Sequence, residues 1–460
     1  MKKKLFSRSF IALSVILLAG SISSKISAQF ASGTGTAEDP YVITTAAQLN
    51  DIRNYLLNHF ILGNDIDLTD YLASSSAGWE PIGTSSDAGG APFQGSLNGN
   101  GHVISGLWIN RPTERGVGLF GWTRYGVAFK YLAVIVPEGK EIKGLDNVGI
   151  IAGATNYGSG SAIKITECFA SGSVTALGEC AGGFYGYTSH AGGLEIVDSY
   201  TVGTVKAAKK AGGMLGQAYR RVKISTSYSL ATILSDNGSA GGFVADIGFP
   251  NANDIRHDFE YLAALNPSVT GFISESSNVG RIVGFEKANV GNGSGNYVYE
   301  TNYAFADMLV NGAAVTDGTV TNKNGLNKTA TELKTETTYA GDNDLYWYLG
   351  VTWTMGNGNY PLPILKALPA SVQPTTAPSH LGGGSSITLA DRDGLALVYP
   401  TITTGLVYIK DKDVNAEVKI YDNSGRLLLT SKDSQVDISS FAKGLYLINV
   451  QGQTGKVIKK

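Results

Sequence analysis

The chain has 460 residues, too many for one compact core and suited to two or three units. Its 59 glycines follow no G-X-Y period, which excludes collagen; with only 16% charged residues and 23 Tyr, they point to many short strands and tight turns. A formal net charge of −2 without clustered Lys and Arg excludes nucleic acid as a partner.

The N-terminus reads as a secretory leader. Lys2, Lys3, Lys4 and Arg8 form a basic start, residues 10–20 an apolar run, and Ser27-Ala28 before Gln29 a small-residue cleavage site. The apolar run is too short to span a membrane comfortably, and no later segment reaches that length, so no transmembrane segment is expected in the mature chain. Removing residues 1–28 would delete five cations and take the net charge from −2 to −7.

Residues 29–60 are expected to form an N-terminal cap. Within 44–58, Thr44 or Thr45 is placed to cap a helix whose face carries Leu49, Ile52 and Leu56. From 61 to 365 the chain repeats at roughly 30 residues, the spacing of a solenoid. Residues 163–169, 194–200 and 222–228 are copies of one strand, with Ile or Val alternating against Lys or Glu. A second unit recurs around Gly118, Gly149, Gly183, Gly213 and Gly242, with a looser copy at Gly271-Phe272-Ile273. Stacked at about 4.8 Å, such coils would align Leu119, Ile150, Phe184, Met214 and Phe243 in one ladder, and Phe169, Tyr200 and Tyr228 in another. The repeated glycines either turn with positive φ or let backbones approach closely. The fold class expected is a right-handed parallel β-helix. Trp347, Trp353, Tyr360 and Pro361, within 328–365, are expected to close its far end.

Residues 366–390, with Pro369, Pro374, Pro378 and a Gly/Ser run, read as a linker. Residues 391–460 then alternate as seven or so short strands, the pattern of a small β-sandwich.

Two resemblances follow from these motifs. Residues 39–43, 64–68 and 93–107, with the Gly-Gly-hydrophobic units, resemble GLUG-motif β-helix proteins over roughly 33–365. Those proteins occur as bacterial surface adhesins and beside the catalytic part of IgA-cleaving metallopeptidases. Residues 418–429 with Asp422 and Gly425-Arg426, then Lys443-Gly444-Leu445-Tyr446 and the Lys-rich end, resemble the type A C-terminal sorting domain of type IX (Por) secretion in Bacteroidetes. The Pro-Asn-Pro opening of that domain stands here as Tyr399-Pro400-Thr401-Ile402-Thr403. The resemblance implies passage through the periplasm, export by the type IX machinery, and a place on the outer surface or in the medium.

Residues for chemistry are sparse. His59, His102, His190, His257 and His380 form no His-x-x-x-His pair, so peptidase chemistry does not carry over, and no nucleophile elbow or Walker loop is present. No catalytic or cofactor-binding set is assigned. Asp65, Asp67 and Asp70 are a candidate Ca²⁺ cluster, although capping of local turns is the stronger expectation. Glu167 and Asp198 occupy equivalent positions on adjacent coils, and Lys164, Glu195 and Lys223 form an alternating column. These acids are either a polysaccharide-cleaving pair or part of a charge-balanced face. Among Trp79, Trp108, Trp122, Tyr125, Tyr157, Tyr185 and Tyr187, Tyr185 is assigned to the core, and Trp122, Tyr125 and Tyr187 to the surface. Asn98, Asn100 and Asn110 are candidates for amide ladders. Cys168 and Cys180 are either bonded or two buried thiols. Two functions remain open at this point: a non-enzymatic adhesin or glycan- or protein-binding module, and a secreted lyase or glycosidase on a β-helix.

Overall fold

The computed structural model describes residues 29–189, 191–248, 256–272, 278–286, 297–341, 344–382, 398–399, 402–403, 405–409, 416–422, 426–450 and 453–460. The leader, His190, Ile273, the Gly/Ser run after Gly382 and the turn at 423–425 lie outside these residues. The chain divides into two compact units, Met1–Gly383 and Gly384–Lys460.

The first unit is a parallel β-solenoid. Its first sheet stacks nine parallel strands in chain order, from Tyr41–Ile43 through Ile163–Thr166, Leu194–Val197 and Val222–Ser225 to Tyr297–Glu300. A second, 19-stranded sheet bends around the coil, and a third stacks six strands from Phe120–Thr123 to Val283–Glu286. In-register pairing sets Ile165 on Ile196 and Ile196 on Ile224, so alternating apolar side chains meet inside. The helix Ala46–Asp51 is capped by Thr45, whose side chain accepts from the Gln48 N–H, and it buries Leu49. The N-terminal segment also joins the sheet, since Tyr41–Ile43 pairs with His59–Leu62.

Both proposed ladders are present. Main-chain bonds link Leu119 to Ile150, Phe184 to Met214, and Met214 to Phe243, all buried. Gly118, Gly149, Gly183, Gly213 and Gly242 serve close approach. A Cβ on Gly183 would lie 2.2 Å from the Gly213 carbonyl oxygen, and one on Gly213 would lie 1.9 Å from that of Gly242. Left-handed corners fall instead on side-chain-bearing residues: Tyr131, Glu167, Asp198, Thr226, Tyr261 and Thr301, with φ between 47° and 58°.

The sixth Gly-Gly copy is at 280–284, not at 271–273. Gly280 pairs with Gly241, and Phe243 donates to the Ile282 carbonyl. Arg281 takes the second glycine's place, which hides the repeat. Its side chain is buried and donates to the carbonyls of Phe305, Asn324 and Gly325, and to Asn327 Oδ1 at 2.6 Å. This guanidinium ties its coil to the last one, at Phe305 and the turn at 324–327.

The aromatic segment expected to close the end runs instead along the flank. Trp347 Nε1 donates to the Tyr261 carbonyl, Trp353 Nε1 to Asp198 Oδ1, and Tyr200 OH to Gln373 Oε1. Farther back, the Ala367 carbonyl lies against Gly101. The reason is the outer ladder. Phe169, Tyr200 and Tyr228 stack with ring centroids 4.3 and 4.5 Å apart, and this stripe would otherwise face water. The segment 366–382, read from sequence as linker, belongs to this strap: Leu368, Gln373, Ala377 and Leu381 are buried on the solenoid.

Asn98, Asn100 and Asn110 form no amide ladder. Asn100 N–H closes onto Asn98 Oδ1 as a local turn. A buried corner column does exist: Cys168 N–H donates to Ser199 Oγ, and Ser199 N–H to Ser227 Oγ.

In the second unit, a three-stranded sheet and a five-stranded sheet enclose Val407, Val418, Ile420, Ile448 and Val457. Asp422 ties its hairpin: its carboxylate accepts from Arg426 N–H and Nε, each at 3.0 Å.

Candidate ligand-binding face

The acids singled out from sequence do not converge. Asp65 Oδ1 meets His102 Nδ1 at 3.0 Å and accepts from Val103 N–H at 3.1 Å. Asp67 accepts from Thr69 N–H at 2.8 Å, and its hydrogen bonding to the Thr69 side chain, with that N–H second, holds its pKa below the usual carboxylate value. Asp70 is exposed. Among the described residues no group of three or more His, Cys, Asp or Glu is placed to hold a metal ion.

Glu167 and Asp198 are neighbours on successive left-handed corners, and burial raises both pKa values, with Asp198 adding to the rise at Glu167. Asp198, however, is engaged by Trp353 of the strap at 3.1 Å. Lys164, Glu195 and Lys223 form the expected charge-balanced column: Lys164 meets Glu195 at 3.8 Å, and Lys223 meets Glu260 at 2.9 Å. Such exposed pairs contribute a few tenths of a kcal/mol each, roughly.

Cys168 and Cys180 are unbonded and buried, and burial pushes each thiol up to about 12. His257 is buried and pushed down to about 4, while His380 Nε2 donates to the Leu265 carbonyl, 2.8 Å away. His59 contacts Ser96 Oγ at 2.9 Å.

The aromatics sort differently. Trp79 and Tyr185 are buried, Trp79 donating to the Leu119 carbonyl and Tyr185 meeting Thr123. Trp108 is half-buried beneath Lys140. Trp122 and Tyr187 are half-buried, and Tyr125 and Tyr157 exposed.

Trp122 is held on two sides. Its N–H and carbonyl pair with Gly83 and Phe93, and its indole covers Gly116, where a Cβ would lie 2.1 Å from Nε1. It walls an open groove of about 700 Å³ that also exposes Glu80, Thr84, Ser85, Asp87, Arg111 and Arg115. Both arginines, Glu80 and Glu114 are ion-paired. Arg111 meets Glu114 at 2.8 Å, Arg115 meets Asp146 at 3.0 Å, and Arg53 meets Glu80 at 3.3 Å. An aromatic wall beside fixed donors and acceptors with little net charge suits polyhydroxylated, neutral surfaces. Sequence reading found Trp122 but missed the groove, because residues 80–88 reach it from a loop with no repeat of its own.

Residues 397–460 match the secretion system C-terminal sorting domain family. This is a type IX secretion sorting tail. It directs export to the cell surface or the medium. Among curated proteins, a provisionally named Gly-rich membrane protein of Evansella cellulosilytica is 45% identical over 120 residues, 25% of this chain and 13% of its own length. Halomucin of Haloquadratum walsbyi is 38% identical over 131 residues, covering 27% of this chain and 1% of its own. Beta-agarase A of Zobellia galactanivorans is 24% identical over 240 residues, covering 49% and 41%. The chain thus spans well under half the length of these relatives. A crystal structure of a provisionally assigned immunoglobulin A1 protease from Bacteroides ovatus superposes with a TM-score of 0.55 at 23% identity, covering 74% of this chain and 96% of that one. That likeness concerns the fold. No helix among the described residues is long and apolar enough to cross a membrane.

Proposed function

We propose that the chain is an extracellular binding module of the GLUG β-helix type. The solenoid recognises a glycan in the groove beside Trp122, and the sorting tail engages the type IX machinery through residues 397–460. The observation that carries this reading is a half-buried, rigidly seated indole that walls the groove beside ion-paired side chains. The experiment is glycan-array binding by purified chain lacking residues 1–28. Retention of one glycan class, unaltered in length, is expected. Trp122→Ala should weaken it about ten-fold or more with no change in thermal transition. Unchanged retention by that variant would remove the groove from the account.

Two export steps accompany the reading. The leader is cleaved before Gln29, so the mature N-terminus read by mass spectrometry begins there. Just past that site the chain is already packed on the solenoid, since Phe30 stacks on Tyr41 with ring centroids 4.4 Å apart. Deleting residues 397–460 should leave the solenoid in the periplasm, and surface labelling should fall to background. Undiminished labelling would exclude the tail as the export signal.

A second reading, a secreted glycosidase or lyase, is favoured by the neighbouring raised carboxyls of Glu167 and Asp198 and by the agarase likeness. Under it, the bound glycan shortens on contact, and Asp198→Asn stops the shortening.

A further inference from the structure

In-register pairing in the third sheet sets Trp122 on Ala154 and Ala154 on Tyr187. The three residues hold one position in the strands Phe120–Thr123, Ala152–Thr155 and Tyr185–Thr188 of successive coils. Two half-buried aromatic side chains therefore stand two rungs apart in one column, roughly 10 Å at about 4.8 Å per rung. The coil between them contributes only the methyl of Ala154. Tyr219 of the next coil packs against Tyr187 with ring centroids 5.6 Å apart, so this ring is braced as the indole is.

The loop that walls the Trp122 groove runs beside the same column. At the first coil, Trp122 N–H donates to the Gly83 carbonyl at 3.2 Å. At the second, Ser86 N–H donates to Asn156 Oδ1 and Asn156 Nδ2 donates to Ser85 Oγ, each at 3.3 Å. At the third, burial raises the Tyr187 phenol and the Asp87 carboxylate adds to the rise, which sets the loop's tip near that ring. Ser85 and Asp87 both line the groove. The opposite wall also passes from coil to coil. Arg115 meets Asp146 at 3.0 Å, Asp146 Oδ1 accepts from Glu179 N–H at 2.6 Å, and Glu179 meets Lys210 at 3.5 Å. Both walls thus follow the solenoid axis from Trp122 toward Tyr187.

This spacing selects a shape of ligand. Pyranoses joined through opposite equatorial positions form an extended chain that advances about one rung per sugar. Its alternate sugars turn the same face to one side, so rings two rungs apart meet two equivalent faces. A helical glucan curls away from such a column. Charge narrows the class further. Arg111 and Arg115 are already engaged by Glu114 and Asp146, and an anionic polymer would bring its charges toward Asp87.

We propose that the groove binds an extended, uncharged polysaccharide lying along the solenoid axis, with Trp122 and Tyr187 stacking on alternate sugars. Each ring offers a rigid apolar face to the C–H side of a sugar, and the paired side chains of the walls meet its hydroxyls. The proposal rests on the glycan reading of the Trp122 groove, which it extends to a substrate class and a direction of binding.

The test is titration of the full mature chain with cellobiose, cellohexaose, mannohexaose and maltohexaose. Cellohexaose or mannohexaose should bind ten-fold or more tighter than both cellobiose and maltohexaose. Tyr187→Ala should weaken the favoured hexaose about ten-fold and leave cellobiose binding and the thermal transition as they were. Tyr187→Phe keeps the ring and should bind as the parent does; a loss equal to that of Tyr187→Ala would overturn the stacking role. Trp122→Ala separates this proposal from the reading beneath it. If Trp122→Ala weakens the hexaose and Tyr187→Ala does not, the groove stands and the axial path falls. If neither variant changes binding, or no oligosaccharide binds, both fall. Maltohexaose bound as tightly as the extended hexaoses, or an affinity that does not rise with chain length, would overturn the proposal.

Discussion

Gly213→Ala is expected to destabilise the solenoid by more than ~3 kcal/mol, the upper end of what overpacking costs. The new methyl would sit 1.9 Å from the Gly242 carbonyl oxygen and 2.4 Å from Ser229 Oγ. Neither side can yield. Gly213 N–H is bonded to the Gly241 carbonyl, and Gly242 N–H to that of Gly280, so moving one strand pulls on the next coil. Stability in a stacked repeat is a sum of neighbour interfaces, and this interface lies in the middle of the stack. Hydrogen exchange should therefore rise first on both sides of residue 213, and the urea midpoint should fall. Gly358→Ala is the comparison, because nothing lies within 4 Å of its Cβ position; it should stay within about 0.5 kcal/mol of the parent. Equal stability of the two variants would show that the glycine column does not set the coil spacing.

The same column marks how much was legible in the sequence. Leu119, Ile150, Phe184, Met214 and Phe243 could be aligned because each coil presents one apolar residue to the same point inside, and the glycine before it has no room for a side chain. Repetition is readable where every coil meets the same constraint. The last copy escaped because Arg281 replaces that glycine and satisfies its own charge on main-chain carbonyls. Glu167 and Asp198 were recognised as equivalent, but their left-handed backbone and the partner across the strap were not visible in the pattern.

Trp353→Ala is expected to cost about 3–5 kcal/mol of local stability, the usual range for removing a buried tryptophan. Trp353 is fully buried against Trp347, Tyr228 and Tyr200, with ring centroids 4.7, 5.8 and 6.1 Å away. Where that cost appears separates a strap from an end cap. An end cap would open the last coil, so protection would be lost first across 297–328. A strap would lift from the flank, so proteolysis would begin within 344–382 while the coil interiors keep their protection. The lifted strap would also bare the stacked rings of Tyr200 and Tyr228, and dye binding to exposed apolar surface should rise. Trp353→Phe keeps a ring in place but removes the donor to Asp198, leaving a half-buried carboxylate short of one bond at a cost of roughly 1–3 kcal/mol. That smaller loss should shrink at low pH. Burial already favours the protonated form of Asp198, and without the indole N–H its pKa rises further, so protonation relieves the unmet charge. A Trp353→Phe defect that is the same at every pH would assign the contact to ring packing alone.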